Sequence, residues 1–132
     1  KSIATNKMKT QAEITTALNA IRALIDVDVM NADITDVQNK CLNLTQMMGL
    51  SSETTASAKK LLGEKETEIF VLKGLEKLQP SMAMKLLKSF CAQEIATLEY
   101  ADRLNSAIVH SIDALRSVMS LYKTEMQNSL RQ

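Results

Sequence analysis

SMAMKLLKSFCAQEIATLEYADRLNSAIVHSIDALRSVMSLYKTEMQNSLR, residues 81–131, decides the fold. No glycine or proline lies within it, so nothing in the stretch forces a turn. Apolar or small residues recur at helical steps of three and four: Met84, Leu87, Cys91, Leu98, Ala101, Ile108, Ile112, Leu115, Met119, Tyr122 and Met126. Glu94 and Asn105 fill the two positions that interrupt the series. Such spacing keeps one face of a helix apolar along its length, ready to lie against other helices. At 1.5 Å per residue the stretch makes a rod of about 75 Å.

Working outward, the N-terminal part offers a partner. Lys1–Thr16 is mostly polar and has little to bury. Two apolar stripes run side by side, the first through Ile14, Leu18, Ile21 and Ile25 with Val29 and Ala32 following. The other runs through Ala20, Ala23, Val27, Met30, Ile34, Val37, Cys41, Leu44 and Met48. The second stripe keeps its phase past Asn31 and Asp33, which are candidate N-caps, with Asp36 three residues after Asp33. Its continuity predicts one long helix that closes at Gly49. Ser51 and Ser52 with Glu53 then read as a fresh helix start. Ser52–Leu78, interrupted by Gly63 and Gly74, reads as one short helix or as a small hairpin turning at Gly63. Gln79, Pro80 and Ser81 punctuate the chain before the long helix.

Two arrangements satisfy these elements. In one, three helices run up, down and up, so the first and last are parallel. The favoured one is an all-α, elongated antiparallel bundle of two long helices joined by a short helical segment or hairpin. There, pairing residues whose numbers sum to about 132 sets Met48 by Met84, Cys41 by Cys91, Ile34 by Leu98, Val27 by Asn105 and Ala20 by Ile112. The two polar chain ends then lie together.

Composition agrees with helices. The chain is 45% hydrophobic but only 3% aromatic, with three glycines and one proline, so an aliphatic core with eight methionines as filler is expected. One domain accounts for residues 1–132, as a complete protein or as a segment of a larger one. Sixteen basic residues offset fifteen acidic ones, which excludes a nucleic-acid footprint. No apolar run spans a bilayer. Cys41 and Cys91 form no paired motif and read as buried thiols.

No catalytic, cofactor or metal residue is expected. His110 is the only histidine, and residue 107 is alanine, so the Glu-x-x-His pair of carboxylate metal sites is missing. Ser106, His110 and Asp113 share a helix face without an implied pocket. Glycine-rich phosphate loops are absent. Glu94 and Asn105 are the candidate polar residues for fixing register or lining a ligand groove; a drift of the seam would instead bury Ile95 and Leu104. Met47, Met48, Met82 and Met84 form a candidate docking surface at the presumed bundle tip.

The reading that follows is a non-enzymatic protein-interaction or assembly module of coiled-coil character. The first long helix carries two stripes, and a two-helix stalk covers only one of them. A homodimer forming a four-helix stalk is therefore expected. The alternative is a domain that senses a small-molecule ligand. With paired ends it is similar in architecture to the four-helix sensory domains of bacterial extracytoplasmic receptors.

Overall fold

A computed structural model describes residues 9–26 and 33–131. Four α-helices follow in order: α1 (Gln11–Ile25), α2 (Ile34–Leu72), α3 (Pro80–Phe90) and α4 (Ala92–Arg131), with a 3-10 turn at Leu75–Lys77 between α2 and α3. The protein is an all-α bundle in which two long helices, α2 and α4, pack along each other and are joined by short helical segments.

Helix α1 starts with a capping box. Thr10 Oγ1 accepts from the Glu13 backbone N–H at 3.3 Å, and Glu13 Oε1 accepts from the Thr10 N–H at 2.9 Å. The predicted stripe Ile14, Leu18, Ile21 is its buried face, joined by Ala17. Helix α1 does not continue into α2. It ends with Asp26 as C-cap, while Asp33 caps α2, its carboxylate accepting from the Asp36 N–H at 2.9 Å. Lys9 N–H donates to Ser57 Oγ at 3.3 Å, and Lys40 Nζ donates to the Ile25 carbonyl at 3.0 Å. Those two contacts run in opposite chain directions, so α1 lies antiparallel to α2. The single long helix expected from the second stripe is thus two antiparallel helices, α1 and α2. The expected passage through Val27–Ala32 lies outside the described residues.

Helix α2 overrides both internal glycines. Gly49, predicted as a helix end, and Gly63, read either as a glycine inside a helix or as a turn, both stand inside 39 continuous helical residues. Glycine in a helix interior costs about 1 kcal/mol against alanine. Burying one side chain such as Val37 or Leu44 gives about 1.5–3 kcal/mol, so packing outweighs propensity. The chain reverses later, at Gly74, whose φ of 61° is the left-handed conformation that ends α2. Pro80 opens α3 at its first turn. The predicted terminal helix also divides. Cys91, at φ −103° and ψ 18°, separates α3 from α4 without glycine or proline.

This sets a register different from the predicted one. Ser51 meets Asn105, a sum of 156 instead of 132. Cys41 packs against the main core, while Cys91 lies in a second cluster at the end of the bundle, so the expected Cys41–Cys91 neighbourhood is absent. The two long helices, α2 and α4, are antiparallel as expected; since α1 also opposes α2, α1 and α4 run parallel. The expected meeting of the two chain ends lies outside the described residues, but Lys9 and Arg131 stand far apart along the bundle. Lys9 touches Ser57, which the register sets near residue 99, so Arg131 stands about 48 Å further along α4.

The main core joins Ile14, Leu18 and Ile21 of α1 to Val37, Leu44 and Ala58 of α2 and to Ala101, Leu104, Ile108, Ile112 and Leu115 of α4. The predicted seam is buried on α4 from Ala101 to Leu115; its outer members, Met84 on α3 and Met126 on α4, are exposed. Leu104 is buried beside the seam, and Ile95 packs on the second cluster. The seam is therefore broader than its arithmetic, because a straight helix rotates against a seven-residue repeat.

Candidate functional site

At the end of the bundle, the sequence from Phe70 to Phe90 makes a tight cap. Helix α2 closes with the Lys73 N–H donating to the Ile69 carbonyl at 2.9 Å. The turn at Gly74 then tucks Leu75, 2% exposed, beneath the cap. Leu75 joins Ile69, Ala83 and Cys91 in the second cluster, with Leu62, Leu86, Leu87 and Ile95 around it. With so short a connection, few apolar side chains can turn inward. Phe70, Val71, Leu72, Leu78, Met82, Met84 and Phe90 remain exposed, Val71 and Leu72 by 68% and 69%. Helix α3 thus directs Ala83, Leu86 and Leu87 at the cluster and Met82, Met84 and Phe90 away from it.

Between these elements lies an apolar groove of about 300 Å³, lined by Phe70, Leu75, Glu76, Leu78, Pro80, Ala83, Met84 and Leu87. Lys73 Nζ lies 5.1 Å from the centroid of the Phe90 ring, a cation–π contact that steadies the last turn of α2 on α3. Burial pushes the Cys91 thiol up, and the charges of Glu66 and Glu94 add to it. Its side chain packs in the cluster beneath the cap.

Of the four methionines predicted to share a docking surface, the fold brings Met82 and Met84 to this cap. Met47 packs on the main core and Met48 is exposed on mid-α2, 22 residues before Phe70, or about 33 Å away. The reason is the misplaced turn: a helix ending at Gly49 would have set Met47 and Met48 at the tip.

Asn105 joins a polar layer that the sequence reading did not anticipate. Ser51, Thr54 and Ser57 are buried on one face of α2. Ser51 Oγ donates to Asn105 Oδ1 at 2.9 Å, Thr54 Oγ1 donates to the Leu50 carbonyl at 2.6 Å, and Ser57 Oγ accepts from Lys9. Gln11 Nε2 donates to Thr97 Oγ1 at 3.0 Å, tying α1 to α4. Among the described residues no buried side-chain polar atom lacks a partner, so the layer is complete without a ligand. Its signal was present as small residues at three-residue spacing, Ser51, Thr54 and Ser57, which let helices approach closely. Glu94 is half-buried near Cys91 and lines neither groove.

A second groove of about 270 Å³ lies between α1 and α4, lined by Thr15, Leu18, Gln93, Ala96, Thr97 and Tyr100. Arg22 beside it is raised above its ordinary range by hydrogen bonds to Tyr100 and Asp26. His110, Ser106 and Asp113 are all exposed on α4. No group of three or more His, Cys, Asp or Glu side chains is placed to hold a metal ion among the described residues. Nor is any described helix long and apolar enough to cross a membrane.

Compared with protein-family models, curated proteins and solved structures, the chain matches none of them at a significant level.

Proposed function

We propose that this chain is a non-enzymatic interaction module that docks through the apolar cap formed by the end of α2, the 3-10 turn and α3. One observation carries the reading. Seven of the fourteen large hydrophobic residues exposed among the described residues fall between Phe70 and Phe90. An apolar surface concentrated in this way is costly in water unless something covers it. The rest of the chain works as a rod that holds the cap at one end.

A photo-crosslinking amino acid placed at Val71 or Met82 in the producing cells is expected to give discrete adducts, to protein or lipid. The same group at the exposed Asp102 on α4 is expected to give none. Equal labelling at both places would remove the basis for a docking cap.

Self-association has a separate footing at the opposite end. By the Ser51–Asn105 register, α2 stops facing α4 near residue 123. The α4 seam runs on through Met126 and Leu130, which are 63% and 85% exposed. Helix α1 now supplies within the chain one of the covers that a second copy was expected to provide. The remaining seam supports a weaker dimer, joined through the α4 tails. Sedimentation equilibrium at high micromolar concentration is expected to show dimer that Met126→Ser/Leu130→Ser abolishes. A plain monomer across that range rules the tail dimer out.

A further inference from the structure

We infer that the surface met by the apolar cap is an anionic lipid bilayer, bound peripherally; this rests on the docking role proposed for the cap. The first argument is charge. Residues 70–90 carry Lys73, Lys77, Lys85 and Lys88 against Glu76 alone, a net +3, while the whole chain carries only +1. No ion pair ties these lysines to a carboxylate among the described residues. Lysines interleaved with exposed apolar side chains are the pattern that binds the headgroup region of an anionic leaflet. There the ammonium groups meet phosphate and carboxylate while the apolar side chains reach the acyl boundary. Lysine stems add apolar surface of their own.

The second argument is shape. The groove is lined by Phe70, Leu78 and Met84 on its open side, but Val71, Leu72, Met82 and Phe90 lie outside it. A partner helix seated in the groove would leave those four in water. A lipid surface is not confined to the groove as a single helix would be. A second copy meeting cap to cap would set +3 against +3, a like-charge contact that opposes the apolar gain. The cap has no helix able to span, so the binding is interfacial.

The test is sedimentation of the whole chain with vesicles of phosphatidylcholine, with and without phosphatidylserine. Binding is expected only with phosphatidylserine, at millimolar lipid and near-physiological salt. It is expected to be lost at about 1 M salt, where the screening length falls to about 3 Å. Each lysine near such a surface strengthens binding about fivefold, so Lys77→Gln/Lys85→Gln should weaken it about 25-fold. Leu72→Ser/Met82→Ser should weaken binding while leaving the salt dependence in place. All four positions are exposed, so circular dichroism should report unchanged helix content. Equal sedimentation with both vesicle types, or none with either, overturns the lipid surface. If the vesicles fail while Val71 crosslinks to a protein, an acidic protein partner replaces the lipid and the docking cap stands. If both fail, the cap itself is wrong.

Discussion

Leu44→Ala is expected to cost about 2–5 kcal/mol of folding stability, among the largest effects of any single side-chain truncation in the chain. Leu44 is 0% exposed on α2. It belongs to one core cluster with Ile14, Leu18 and Ile21 of α1 and Ile108, Ile112 and Leu115 of α4, where three helices meet. Truncation removes three heavy atoms from a site whose walls come from three separate helices. Those walls cannot collapse together without disturbing the polar layer at Ser51 and Asn105. At about 4 °C per kcal/mol for a domain of this size, the midpoint of thermal unfolding should fall by roughly 8–20 °C. Leu42→Ala is the matched control. It is the same substitution two residues away, on the opposite side of the helix, where Leu42 is 56% exposed. Its cost should stay near 0.5 kcal/mol. Similar midpoints for the two variants would mean that Leu44 does not lie between α1 and α4.

That contrast also marks what the residues disclosed in advance. The Ile14–Leu18–Ile21 stripe and the α4 seam are legible because each sits on a helix whose other faces are polar. Periodicity then reports burial directly. Helix α2 is harder. It is buried against α1, α4 and the α3 cap on different parts of its length, so its inward face changes from Val37 and Leu44 to Ser51, Thr54 and Ala58 and then to Ile69. No single stripe describes it, and the serines and threonines in its middle imitate a helix start. The separation of α1 from α2 has only Asn31 and Asp33 as local signs, because no glycine or proline stands between Asp26 and Asp33. The division at Cys91 has no local sign at all. It arises from tertiary packing, which draws Ala83 and Leu87 onto Ile69 and Leu75. The apolar cap is half legible: Met82 and Met84 stand out in the sequence, but Phe70, Val71 and Leu72 join them only when the turn is at Gly74.

The position of that turn yields the second large effect, and here the sign decides. Gly49→Ala/Gly63→Ala is expected to stabilise the protein by about 2 kcal/mol, about 1 kcal/mol at each site. Both glycines lie inside α2, at negative φ. A Cβ built on either meets nothing within 4 Å, so alanine brings its lower backbone entropy cost without strain. The sites are fourteen residues apart on one helix and share no partner, so the gains should add. Had the chain ended a helix at Gly49 or turned at Gly63, at least one residue would sit in the left-handed region. Alanine there would be destabilising by about 1–2 kcal/mol. Gly74→Ala supplies the internal comparison. Its surroundings are as open as those of the other two, but its φ is 61°, so only backbone strain differs and the variant should lose about 1 kcal/mol. Urea unfolding of the three proteins at one concentration reads these differences as shifts in midpoint at constant slope. Stabilisation by the double variant together with destabilisation at Gly74 requires an uninterrupted α2. A loss of stability in the double variant would return the turn to the middle of the chain and dissolve the cap, because Phe70 and Met82 would no longer flank the same reversal.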